Sequence, residues 1–147
     1  MHSEALHVRL QELEAKCREK GLPVTVQRRI ILEAVLLHDD HPTADQVFEM
    51  VKDRIPRLSR TTVYRVLDTL AELGLVRRLQ PSGTSRFDGN VQRHHHLVCT
   101  RCNKVIDLED ETLDRLPVPR RNLQGFKIDG FSVHFSGICQ DCRKRKR

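Results

Sequence analysis

Two kinds of metal-binding side chain crowd into ten residues: Arg93-His94-His95-His96-Leu97-Val98-Cys99-Thr100-Arg101-Cys102. A C-x-x-C spacing offers two thiolates to one zinc ion, and a second pair, Cys139 and Cys142, follows after 36 intervening residues. Two such pairs complete a tetrahedral sulfur set, and metal that closes the segment between them contributes folding free energy directly. A redox C-x-x-C would want a βαβ context, which the surrounding pattern lacks. The spacing predicts a structural Zn2+ site at Cys99, Cys102, Cys139 and Cys142.

The histidines ask for different chemistry. On a strand, alternate residues share a face, so His94 and His96 point one way and His95 the other. Neutral imidazoles on one face chelate divalent cations. Asp107, on a strand paired across the C-x-x-C turn, would add a carboxylate. Such a nitrogen and oxygen set suits iron or manganese better than a thiolate site does. Three adjacent histidines also fit a solvated strand end, and spacing alone leaves both readings open.

These side chains need elements to carry them. A chain of 147 residues suits one compact domain or two small ones. With 4% aromatic residues and no Trp, two small domains would have thin cores that a metal staple or a partner subunit would support. No apolar run is long enough for a transmembrane helix, and Glu4, His7, Arg9 and Glu12 interrupt any secretory core at the N-terminus. The expected location is cytoplasmic. Five cysteines in that reducing setting argue against a disulfide framework, and Cys17, alone in a helical pattern, reads as an ordinary small apolar residue.

The formal charge of +6 is unevenly spread. Residues 1–90 carry 14 Lys and Arg against 13 Asp and Glu, whereas 91–147 carry 12 against 7, five of them in the run Arg143 to Arg147. Within the first part, Lys52 to Arg86 is locally basic.

Helical spacing of Leu6, Leu10, Leu13 and Cys17 predicts a first helix from Ala5 to Lys20. Thr25 reads as the N-cap of a second, with Ile30, Ile31, Ala34, Val35 and Leu37 as its apolar face. His38 to Pro42 reads as a loop, and Thr43 as the cap of a third helix bearing Ala44, Val47, Phe48 and Val51 and running to Ile55-Pro56. Ser59 begins a fourth, where Val63, Val66, Leu67 and Leu70 form the buried stripe. Thr61, Tyr64, Arg65 and Asp68 fall on the opposite face. A hairpin follows, Leu75 to Leu79 and Thr84 to Asp88, turning at Pro81-Ser82-Gly83.

Short helices followed by a hairpin describe a winged helix-turn-helix. Arginine, hydroxyl and aromatic groups on the fourth helix suit a DNA major groove, and Arg77, Arg78 and Arg86 of the wing suit its phosphates. An ordinary solvated helix face is the plainer reading. The candidate DNA-binding set is Arg60, Thr61, Thr62, Tyr64, Arg65, Arg77 and Arg78.

Near Gly89-Asn90 the pattern turns from helical to extended. Strands are predicted at His96–Thr100, Val105–Leu108, Phe126–Ile128 and Phe131–Ile138, with a short helix over Glu109–Leu116. The fold class is α+β: a winged-helix domain at 1–88, a hinge at 89–93 and a metal-binding domain at 94–147. An enzyme is not expected. A zinc deaminase needs H-x-E near P-C-x-x-C, and no Glu adjoins His94 to His96 and no Pro precedes Cys99. Four thiolates also leave zinc no open position for water. A zinc-ribbon interaction module without DNA binding is a further alternative.

Read in order, Thr25-Val26-Gln27-Arg28, His41-Pro42-Thr43-Ala44-Asp45, Thr62-Val63-Tyr64-Arg65-Val66-Leu67, Ser85-Arg86-Phe87-Asp88, the H-H-H-L-V-C-T-R-C run, Val105-Ile106-Asp107 and Cys139-Gln140-Asp141-Cys142 resemble the ferric-uptake-regulator (Fur) superfamily from end to end. The resemblance implies a homodimeric, metal-dependent transcription repressor that binds double-stranded operator DNA, with 94–147 as its dimerisation domain. It implies structural zinc on the four cysteines and a regulatory Fe2+ or Mn2+ on His41, Asp88, His94, His96 and Asp107.

Asp88, where iron sensors usually carry Glu, resembles the peroxide-sensing (PerR) branch. Arg93, His95 and Phe131 replace ligands of the iron sensors' ancillary site, of which only Asp114 is left. That branch implies oxidation of ligand histidines by peroxide in the presence of Fe2+, with His41 and His94 as the counterparts. The alternative within the family is an iron- or manganese-responsive repressor without peroxide sensing. Val26 and Pro23 depart from the family's usual residues, and Pro117 and Pro119 imply a shortened helix.

Overall fold

The computed structural model describes residues 2–81 and 83–145, and divides into two compact units, Met1–Val91 and Gln92–Arg147. Ser82, in the expected wing turn, and Lys146 and Arg147, in the basic run, lie outside the described residues.

The first unit holds α1 (His2–Glu19), α2 (Val26–Leu36), α3 (Ala44–Val51), α4 (Arg60–Glu72) and a two-stranded hairpin, β1 (Arg77–Leu79) and β2 (Arg86–Asp88). Each start after α1 follows from a cap. Thr25 accepts from the Arg28 amide and Ser59 from the Thr62 amide, while Thr43 and Gln46 satisfy each other's backbone in a capping box. The end of α4 is equally local. Gly74 takes φ 72° and the Leu75 amide reaches back to the Leu70 carbonyl, the Schellman arrangement that a side chain at Gly74 would strain.

The stripe Val63, Val66, Leu67 and Leu70 is buried as its spacing predicts, against Leu13, Cys17, Ile31, Leu32, Val47 and Phe87. Cys17 is a core residue. Two expectations need correction. Leu37 is 55% exposed as the C-cap of α2, and Leu32 is buried in its place. Because α2 packs against α1, α3, α4 and β2 together, its buried arc is wider than one stripe. The third helix stops at Val51 and does not reach Ile55. Ile55 turns inward to the core, and the chain passes Pro56 into a left-handed Arg57 at φ 57°.

The second unit holds β3 (His95–Cys99), β4 (Val105–Leu108), α5 (Glu111–Asp114), β5 (His134–Gly137) and α6 (Gln140–Lys144). The sheet order is β4-β3-β5, with β4 antiparallel and β5 parallel to β3. Phe126–Ile128 is not a strand. Asn122, Gln124 and Gly125 all take positive φ just before it, which interrupts extended backbone geometry ahead of this segment. The helix expected over Glu109–Leu116 is a single turn, capped by Asp110 and followed by Pro117 and Pro119. Buried apolar residues are few here: Val98, Cys99, Val105 and Cys142. Among the described residues no helix is long and apolar enough to cross a membrane.

Candidate metal centres

The turn from β3 to β4 brings the first cysteine pair together. The Cys99 amide donates to the Lys104 carbonyl and the Asn103 amide to the Cys99 carbonyl, with Asn103 left-handed at φ 60°. The second pair arrives on the far side of β5, where Cys139 occupies the N-cap position of α6 and Cys142 lies within it. Parallel pairing of β5 with β3, reinforced by the Thr100 amide on the Gly137 carbonyl, closes the intervening segment.

One sulfur from each of Cys99, Cys102, Cys139 and Cys142 lies within 4.8 Å of the others, and none is in a disulfide. Cys102 and Cys139 sulfurs stand 3.8 Å apart. A tetrahedral zinc with bonds of about 2.3 Å sets its sulfurs roughly 3.8 Å apart, so the set fits zinc. The Cys139 amide points at the Cys99 sulfur from 3.4 Å and, with the Cys102 amide, draws that thiol down to about 6. Hydrogen bonding to the Cys139 sulfur, and then burial, pushes Cys142 up to about 12.

The histidines split by face. His95, fully buried, directs Nε2 to Asp114 Oδ1 at 2.9 Å, accepts the Val133 amide on Nδ1 at 3.0 Å and stacks on Phe131. Accepting at Nδ1 puts the proton of a neutral ring on Nε2, facing the carboxylate. Arg93 covers the other ring from 5.1 Å. His95 is thus a structural pin.

His94 and His96 face the other way, their Nε2 atoms 3.0 Å apart. Asp107, the β4 partner of His96, brings Oδ1 to 3.1 Å from His94 Nε2 and 3.5 Å from His96 Nε2. His94 Nδ1 lies 2.7 Å from the Gln92 carbonyl, so the ring donates there and keeps its Nε2 lone pair for the cluster. Two ring nitrogens and a carboxylate converging on one point are a donor set for a divalent cation.

The first unit carries a second pairing. His41 and Asp88 are both buried, and His41 Nε2 lies 3.2 Å from Asp88 Oδ2. The other oxygen, Oδ1, accepts the Asn90 amide at 2.8 Å. Gly89, next in the chain, packs closely on α2, where a Cβ would come within 2.9 Å of Leu36 Cδ2.

On α4, Thr61, Tyr64 and Arg65 are exposed and Thr62 is half-buried. Arg60 is engaged by α3: its guanidinium meets Asp45 at 2.9 Å and Glu49 at 3.3 Å and covers the Phe48 ring. Arg78 pairs with Asp68 and lies over Phe87, while Arg77 pairs with Asp88 in the β1–β2 register. Arg86, expected to meet a phosphate, instead donates to the His41 carbonyl at 3.0 Å. That contact joins residues 45 positions apart, so no local pattern in the hairpin signals it.

The model of the ferric uptake regulator family matches residues 19–136. The peroxide operon regulator of Bacillus subtilis is 33% identical over 138 residues, covering 93% of this chain and 95% of that one. The peroxide-responsive repressor PerR of Staphylococcus epidermidis is 28% identical, covering 96% and 95%. The Helicobacter pylori ferric uptake regulator Fur has the same fold, with a TM-score of 0.80 over 97% of this chain and 96% of that one at 20% identity. The chain belongs to the ferric uptake regulator family.

Proposed function

We propose that this family member is a metal-dependent, DNA-binding transcriptional repressor that senses hydrogen peroxide. The observation that carries the reading is the convergence of His94 Nε2, His96 Nε2 and Asp107 Oδ1 on one face of the second unit. His41 and Asp88 complete a five-residue regulatory site for Fe2+ or Mn2+. Cys99, Cys102, Cys139 and Cys142 hold structural Zn2+ and leave no position for a substrate, in keeping with a regulator and not an enzyme. Thr61, Thr62, Tyr64 and Arg65, with Arg77 and Arg78, meet operator DNA, and Arg60 braces the helix that presents them.

In this reading residues 1–88 read DNA, 89–93 are a hinge, and 94–147 dimerise, in the cytoplasm. Leu97 faces Ile106 on one side and Phe135 on the other, and all three are at least two-fifths exposed, an apolar row suited to a second copy. Ligands drawn from both domains make metal favour one arrangement of the reading heads, a ligand-driven population shift.

Bound iron would supply the one-electron chemistry that peroxide oxidation of a histidine requires. His94 holds its ring by the Nδ1 bond to Gln92, and His41 is buried beside Asp88, so each presents an imidazole at a fixed place. The similarity to proteins named peroxide regulators favours this branch over an iron- or manganese-responsive repressor.

The test is anaerobic Fe2+ protein on operator DNA, challenged with peroxide. DNA release with one oxygen atom added to the peptide bearing His41 or His94 is expected. Unchanged peptide masses with retained DNA would leave the metal-responsive alternative.

A further inference from the structure

His41 sits in an improbable backbone conformation. It takes φ 54°, a left-handed value uncommon for any residue with a Cβ, and it directly precedes Pro42, which ordinarily drives its predecessor to extended geometry. Such a residue persists only where its surroundings over-determine it. Three contacts from β2 act on this turn. The Arg86 guanidinium donates to the His41 carbonyl at 3.0 Å, the Phe87 amide donates to the Pro42 carbonyl at 2.9 Å, and Thr43 forms an antiparallel bridge with Arg86. The second and third are backbone contacts that many sequences could make. The first depends on the side chain and is charge-assisted.

We infer that Arg86 is a positioning residue for His41: its guanidinium holds the His41 carbonyl in the left-handed turn and so delivers the imidazole Nε2 to Asp88. This rests on the reading of His41 and Asp88 as regulatory metal ligands. The geometry is economical, because Arg86 and Asp88 are two residues apart on one strand. The same strand therefore supplies one ligand and fixes the backbone of another. Without the guanidinium, the turn relaxes toward the extended region that Pro42 favours and the imidazole leaves the carboxylate. A wing arginine that touched DNA phosphate would act differently, because its loss would weaken DNA binding at any metal concentration.

The experiment uses the full-length, zinc-loaded protein and Mn2+ as the probe, with free Mn2+ followed by electron paramagnetic resonance. Arg86→Met is expected to bind Mn2+ roughly tenfold to a hundredfold more weakly, the usual cost of losing a group that orients a ligand. Arg86→Lys, which keeps a donor, is expected to recover part of that loss. At saturating Mn2+ both variants should bind operator DNA as the parent does.

Wild-type Mn2+ affinity in Arg86→Met, together with a loss in His41→Ala, overturns the inference and leaves the ligand set standing. Wild-type Mn2+ affinity in His41→Ala overturns the ligand set and the inference together. DNA binding that stays weak at saturating Mn2+ assigns Arg86 to the phosphate backbone and also overturns it. Should Arg86→Met fail to fold, Arg86→Gln carries the test, with parental Mn2+ affinity and an unmoved His41 imidazole NMR signal in its metal-free form counting against the inference.

Discussion

Asp107 stands directly across the β3–β4 ladder from His96, and its Oδ1 reaches both His96 Nε2 at 3.5 Å and His94 Nε2 at 3.1 Å. One carboxylate on a short strand thus gathers the imidazole opposite it on β3 and that of His94, which immediately precedes β3. Asp107→Ala should therefore weaken Mn2+ binding by about tenfold or more while leaving one zinc per chain, since the sulfur set shares no atom with it. Parallel Mn2+ titration and zinc assay would check this, and parental Mn2+ affinity would remove Asp107 from the ligand set.

Substituting a cysteine should act on the other side of that division. Cys99→Ser or Cys142→Ser leaves three sulfurs and a unit with few buried apolar side chains to hold it. Structural zinc in small domains contributes on the order of 10 kcal/mol, more than such a core can replace. The expected result is loss of zinc and of the sheet signal in circular dichroism, with the helical signal of the first unit retained. A variant that keeps its sheet without zinc would show the staple to be dispensable.

Zinc capture should strengthen as pH rises. Cys142, pushed up to about 12, carries its proton at neutral pH and must release it to bind metal. Each released proton makes affinity rise about tenfold per pH unit. Cys99, drawn down to about 6, is already a thiolate there and adds a further proton to the balance only below that value. Affinity should therefore fall more steeply with acid below about pH 6. Competition with a chelator across pH would measure both slopes, and a flat profile would contradict the assignment.

The two faces of α4 should separate stability from DNA binding. Leu70 is fully buried, so Leu70→Ala should cost roughly 2–5 kcal/mol of unfolding free energy. Tyr64 is 46% exposed, and Tyr64→Ala should leave the melting midpoint nearly unchanged while weakening operator binding at least tenfold. Equal operator affinity in Tyr64→Ala would favour an interaction module that does not touch DNA through this helix.

The sequence made α4 legible because one strong period governs its burial and Ser59 marks its start. The C-x-x-C pairs were legible for a similar reason, since chelation needs short, fixed spacing. His95 could be set apart from His94 and His96 by strand alternation alone. Other features depend on distant partners and leave no local trace. Parallel pairing of β5 with β3 joins residues 38 apart, such as His96 and His134, and nothing in either strand specifies it. The short α6, Gln140–Lys144, leaves no such signal, because five mostly charged residues are too few to show an apolar period. Arg86 resembled every other wing arginine until the His41 turn was placed beside it.

β3 runs without interruption from His95 to Cys99, so the His96 imidazole of one candidate site and the Cys99 sulfur of the other occupy one five-residue strand. If the four sulfurs take up zinc first, a newly made chain would gain its strand geometry at that step, and only afterwards would His94, His96 and Asp107 be aligned for a second ion. Zinc supply at the time of synthesis would thus set how many molecules ever become able to listen, independently of how much iron, manganese or peroxide they later meet.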